Sequence, residues 1–243
     1  MKLIISLLIF SIALFGAEEQ APVINLSIAA LEEPAQFVKT INIAIILTLL
    51  VLAPTLILMV TSFTRLMIVF SLLRQAMGLQ QTPPNQIIVS LSLILTIFIM
   101  EPYAKKSWET GIKPYMDETI GYEVAFEQGI KPFKEFMIKN TREKDLALFY
   151  RIKKEENPKN IDDVPMTLLM PAFIVSELKT AFEIGFLIFL PFLVIDIIVA
   201  SILMSLGMMM LPPVMISLPI KIIFFIVIDG WALIIGNLAQ SFK

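Results

Sequence analysis

"MSLGMMMLPPVMISLP", residues 204–219, sets a glycine, three consecutive methionines and two prolines inside an otherwise apolar tract. Three successive residues cannot share one face of a helix. Gly207 and the Pro212–Pro213 pair are helix-ending signals, so the stretch reads as a turn. On either side the chain is nearly free of charge. From Ile184 to Leu238 only Asp196, Lys221 and Asp229 are charged in 55 residues. That pattern predicts two long apolar helices joined at the methionines, a hairpin spanning 184–243.

Moving toward the N-terminus, residues 101–183 hold 13 of the 19 basic and 15 of the 21 acidic residues. Phe133, Phe136, Met137, Leu146, Phe149 and Tyr150 recur among those charges at roughly helical spacing, which predicts amphipathic helices. Their mixed charges suit a solvated face better than a ligand site. The faces over 131–154 are expected to turn Phe136 and Phe149 toward neighbouring copies. Glu177 and Lys179, two residues apart, point different ways on a helix and are expected to bond to neighbouring copies rather than to each other.

Earlier still, Thr40 to Thr64 carries no charge over 25 residues, enough to cross a bilayer. A second apolar stretch, Ile87–Met100, is short for a span. Residues 40–100 are thus read as two apolar helices. Arg65 and Arg74 lie between them with no acid before Glu101, as a basic loop on the cytoplasmic side. Residues 18–39 are polar. The first 17 residues place one lysine before a 14-residue apolar run, Leu3–Gly16, which reads as a signal peptide. With the mature N-terminus outside, two crossings put 101–183 on the exported, periplasmic side. Two more leave the methionine turn facing the cytoplasmic side.

The expected fold is therefore an all-α integral membrane protein: two N-terminal apolar helices, an amphipathic helical periplasmic domain and a C-terminal helical hairpin. The hydrophobic fraction of 57% and mean hydropathy of +0.83 agree with that class. A net charge of −2 gives no basic surface for nucleic acid. There is no cysteine or histidine, and no glycine-rich phosphate loop. No enzyme chemistry and no cofactor are expected. An acid within an apolar helix costs roughly 2.5–3.5 kcal/mol on insertion. Asp196, Lys221 and Asp229 fit either a proton path or charge pairing that locks helices together.

Two adjacent stretches carry a resemblance. "PAFIVSELKTAFEIGFLI" at 171–188 and "PFLVIDIIVASILMSLGM" at 191–208 resemble the two signatures of FliP-type flagellar export proteins. So do "SFTRLMIVFSLLRQAMGLQQTPPNQ" at 62–86, "KEFMIKNTREKDLALFYRI" at 134–152 and "GMMMLPPVMISLPIK" at 207–221. The resemblance implies a subunit of the flagellar type III export gate in the bacterial inner membrane, within the basal body. It implies a homo-oligomer that joins FliQ and FliR, works with FlhA and FlhB, and passes unfolded flagellar subunits. It favours structural pairing for Asp196, Lys221 and Asp229. It makes Met208, Met209 and Met210 a deformable seal at the channel. The alternatives are an injectisome export-gate subunit, an ion- or proton-coupled secondary transporter using Asp196 and Asp229, and a scaffold that never meets cargo. A ring in detergent separates gate or scaffold from transporter.

Overall fold

The structure is a computed structural model that describes residues 34–155, 163–208 and 210–242. The expected signal peptide, the first part of the polar 18–39 segment and Met209 lie outside the described residues. Among those described, all regular structure is helical. Clustering of the backbone separates a unit ending at Leu52 from one running Ala53–Lys243.

Helix α1, Pro34–Met59, crosses that division and carries an internal Pro54. Its Val38–Met59 portion is long and apolar enough to cross a membrane. The remaining helices are α2 (Phe63–Ala76), α3 (Asn85–Ser107), α4 (Lys113–Met116), α5 (Tyr122–Asn140), α6 (Glu143–Lys153), α7 (Met166–Ser205), α8 (Pro213–Val227) and α9 (Gly230–Gln240). A π-helical turn at Trp108–Ile112 joins α3 to α4, making a second candidate span of 32 residues. α7 is the third, and α8 with α9 counts as a fourth only if the bent pair is one span.

Three expectations need correcting. Residues 40–100 form three helices, because the chain breaks at Val60–Ser62 and again at Gly78–Pro84. Arg65 and Arg74 consequently sit on α2, not in a loop. The boundaries at 101 and 184 both fall inside continuous helices, α3 and α7. Prolines 102, 171 and 191 stand within them without ending them, since packed neighbours can re-satisfy the backbone groups a proline frees. The second arm of the hairpin is not one helix. It breaks at Ile228–Asp229 and bends by 64°, with Asp229 at φ 50° in the left-handed region.

α7 organises the second unit. Its 40 residues extend roughly 60 Å at 1.5 Å per residue, about twice a bilayer core. Its first half supplies Leu169, Ala172, Phe173, Glu177 and Ala181 to the interior, against α2, α5 and α6. Its second half leaves Phe186, Leu187, Val194, Ile197 and Ile198 mostly exposed and is contacted by α8. One helix thus serves as the axis of a soluble-type core and then as an apolar arm.

Phe136 marks the centre of that core. It is fully buried, with the rings of Tyr103 at 5.1 Å, Phe173 at 5.8 Å and Phe242 at 6.0 Å. Helical spacing had marked an apolar face on α5 correctly. That face looks into its own chain, so Phe136 is unavailable to a neighbouring copy. Phe149 is partly buried and packs against the same core. Where α3 continues into the π-helical turn, the backbone meets α5 directly. A Cβ on Gly111 would stand 2.7 Å from the Gly129 Cα, and Ser107 Oγ donates to the Gly129 carbonyl at 2.6 Å. No larger residue fits there without moving a helix.

Candidate functional site

Two ion pairs are built into the interior, and both need residues far apart in sequence. Arg65 occupies the first turn of α2 at 3% exposure. Its Nε donates to Glu177 Oε2 at 2.9 Å, and Nη2 donates to Glu177 Oε1. Nη2 also reaches Asn140 Oδ1 at 3.3 Å. Nη1 donates to the Ser241 carbonyl at 3.0 Å and to Ser241 Oγ at 2.9 Å. The guanidinium lies 3.8 Å over the Phe242 ring. All five N–H donors of an arginine are therefore used. The fork on Glu177 is the bidentate arrangement that gives arginine–carboxylate pairs their strength.

Glu177 is itself fully buried. It was expected to bond to a neighbouring copy, and here its carboxylate is consumed inside the chain. Lys179 is exposed on α7. Asn140, Ser241 and Phe242 were not singled out from the sequence. The available signal was Arg65 itself: a buried arginine with no acid nearby in sequence must find a distant one.

The second pair lies between α7 and α8. Lys221 Nζ is 2.6 Å from Asp196 Oδ2 and donates to the Ala76 carbonyl at 3.1 Å. Ser217 Oγ donates to Asp196 Oδ1 at 2.6 Å. The Lys221 side chain is 4% exposed and that of Asp196 33%. Lys221 thereby joins α8 to α7 and to the last turn of α2. Asp229 takes no part; it is exposed at the head of α9, where its carbonyl accepts from the Leu233 N–H at 3.1 Å. Among the described residues no cluster of acids could hold a metal ion.

Outside the apolar helices, α6 is pinned to α7. The Arg142 N–H donates to Ser176 Oγ at 3.0 Å, and that hydroxyl donates to Asp145 Oδ2 at 2.7 Å. The hydrogen bond to Glu183 raises the Arg142 pKa. Burial pushes the Tyr150 phenol upward, and among the described residues its hydroxyl has no hydrogen-bond partner.

The methionine turn is shaped by the end of α7. Gly207 has φ 74°; its N–H bonds to the Met204 carbonyl at 3.1 Å, and the Met208 N–H bonds to the Leu203 carbonyl at 3.0 Å. This is a Schellman ending, which requires a left-handed residue at Gly207. Pro213 then opens α8, where its missing N–H costs nothing. Between them Met208 is half exposed and Met210 is 98% exposed.

The pairs, the turn and the helix order fall inside one family match. The FliP family matches residues 46–238. The chain belongs to the FliP family. It is 48% identical over 217 residues to the flagellar biosynthetic protein FliP of Bacillus subtilis, covering 89% of this chain and 98% of that one. It is 49% identical to the FliP of Caulobacter vibrioides, over 84% of this chain and 77% of that one. It is 50% identical to that of Pectobacterium carotovorum, over 84% and 79%. Arg65, Glu177, Asp196 and Lys221 lie within the FliP match. Ser241 and Phe242, which complete the Arg65 cluster, lie just beyond it.

Proposed function

We propose that this chain is a core channel subunit of the flagellar type III protein export gate in the bacterial inner membrane. It assembles as a homo-oligomer with FliQ and FliR, beside FlhA and FlhB, and passes unfolded flagellar subunits. The observation that carries the proposal is FliP-family membership over residues 46–238. The structure supports it in two ways. Among the described residues three helices are long and apolar enough to cross a membrane. The second half of α7 and the outer side of α8 leave large apolar side chains uncovered, among them Ile197, Ile202, Ile223 and Ile226; surfaces of that kind are covered by lipid or by other chains.

In this reading Met208, Met209 and Met210 form the seal. Methionine is apolar, unbranched and deformable. Repeated around a ring, it excludes water and ions by dewetting and still yields to a passing chain of any composition. Glycine at Met208, Met209 and Met210 is expected to leave the oligomer intact on blue-native gels and to raise small-ion conductance of the complex in planar bilayers. A substituted complex as tight as the parent overturns the seal.

A further inference from the structure

Ser107 and Gly129, in contact between α3 and α5, close the neck of a hairpin. Its tip holds the π-helical turn, α4 and the start of α5. Beyond the neck, residues 108–128 carry five acids, Glu109, Asp117, Glu118, Glu123 and Glu127, against one base, Lys113. All six are exposed, and among the described residues none enters an ion pair. The tip also uncovers Trp108, Ile112 and Tyr115, with Tyr122 69% and Phe126 60% exposed. The rings of Tyr115, Tyr122 and Phe126 form a run, with successive centroids 6.4 and 6.3 Å apart. Tyr122 and Phe126 stand four residues apart on α5, as do Glu123 and Glu127, so an aromatic row and an acidic row lie side by side. An exposed apolar patch with a charged rim marks a docking surface.

The rim decides the occupant. Rings flanked by carboxylates fit a surface that offers cations, because guanidinium and ammonium groups lie over ring faces and pair with the acids. An anionic membrane surface would be repelled by the same acids. The chain carries a cationic surface of its own. Residues 139–155, which are α6 and its flanks, hold six basic side chains against three acidic ones. Lys144 and Arg151 are exposed and, seven residues apart, share a face of α6. Neither enters an ion pair among the described residues. Ile152, beside Arg151, is 66% exposed. The tip stands at one end of α5 and α6 follows the other, after 19 residues that span about 28 Å at 1.5 Å per residue.

We propose that the acidic, aromatic hairpin tip of one copy seats on α6 of a second copy. Glu123 and Glu127 pair with Lys144 and Arg151 across the contact, and the faces of Tyr122 and Phe126 cover the cations. Charge complementarity selects this occupant, since the tip is acidic where α6 is basic. Tip and α6 are different surfaces, so the contact is head-to-tail and repeats from copy to copy until it closes. It rests on the homo-oligomeric reading given above and adds which surfaces meet.

The test is a charge swap in the purified full-length protein, with oligomer size read by analytical ultracentrifugation in detergent and folding by circular dichroism. One variant reverses the tip, Glu123→Lys with Glu127→Lys. The other reverses α6, Lys144→Glu with Arg151→Glu. Each alone sets like charges against each other and is expected to weaken association about tenfold or more with helical content unchanged. Mixing the two variants is expected to restore the parental oligomer, as is one chain that carries all four substitutions. Should the reversed tip fail to fold, Glu123→Gln with Glu127→Gln takes its place and is expected to weaken association in the same direction. An oligomer unchanged in either reversed variant overturns the contact, as does a loss that neither the mixture nor the fourfold variant restores. An unchanged oligomer together with vesicle binding that is lost on Tyr122→Ala would assign the tip to a membrane surface and overturn the second copy. A parent protein that stays monomeric overturns the homo-oligomeric reading itself, and the contact with it.

Discussion

Arg65 meets Glu177 across 112 residues of sequence, whereas Lys221 meets Asp196 across 25. The first pair is sealed on all sides, with every donor used and an aromatic ring over the cation. It ties α2 and α7 to the end of α5 and to the residues following α9. The second pair joins neighbouring helices, and its carboxylate stays one-third exposed. The difference lies in what each pair can lose. A charge left alone beside Arg65 would have no solvent, while one left beside Lys221 has a partly open route to relief. Depth and number of partners, rather than the ion pair as such, set the cost of breaking it.

The largest expected effect breaks the deeper pair. Glu177→Ala leaves a buried guanidinium uncompensated and should cost about 3–5 kcal/mol, read from equilibrium unfolding in mixed micelles. Arg65→Met combined with Glu177→Leu should recover most of that loss, because two apolar side chains replace two charges. A double variant as unstable as the single one would show that the cluster matters for something besides charge balance. Next comes Lys221→Met, which leaves the one-third exposed Asp196 carboxylate to Ser217 and solvent and should cost about 1.5–3 kcal/mol by the same measurement. A loss equal to that of Glu177→Ala would erase the distinction between the pairs. The smallest is Lys106→Ala. Its pair with Glu135 is exposed, at 52% and 37%, and such pairs are worth about 0–1 kcal/mol. Unfolding curves that barely move would set the lower end of the scale.

Much of the helical fold was legible because apolar runs are long and turns are marked. Gly207 and Pro212–Pro213 ended helices where the sequence placed the turn. Prolines 102, 171 and 191 stand inside helices without ending them, since packed neighbours re-satisfy the backbone groups they free. The break at Val60–Ser62 carries no glycine or proline, so nothing local announced it. Phe136 shows a further limit. Spacing identifies a helix face but not whether the core or a neighbour lies against it; that is decided by Phe173 and Phe242, on distant elements. Arg65 looked like a loop residue because a charge in an apolar run is read as an interruption. Its acid came from a helix that local pattern could not link to it. Asp196 and Lys221 were easier, since the hairpin holds few charges, Asp196 in its first arm and Lys221 with Asp229 in its second.

The sequence separation of the Arg65 contacts also bears on biogenesis. At ~5–20 residues per second, a ribosome needs roughly 6–22 s to reach Glu177 after making Arg65. Ser241, 176 residues on, follows roughly 9–35 s after Arg65. Until Glu177 is made the guanidinium has no carboxylate, until Ser241 it lacks its last carbonyl, and burying it alone would cost several kcal/mol. A nascent α2 that buried Arg65 before α7 is made would bear that cost, and one that keeps Arg65 hydrated until Glu177 is made would avoid it. Among the earliest-made charges of the fold, Arg65 is closed over by some of the last residues to be synthesised.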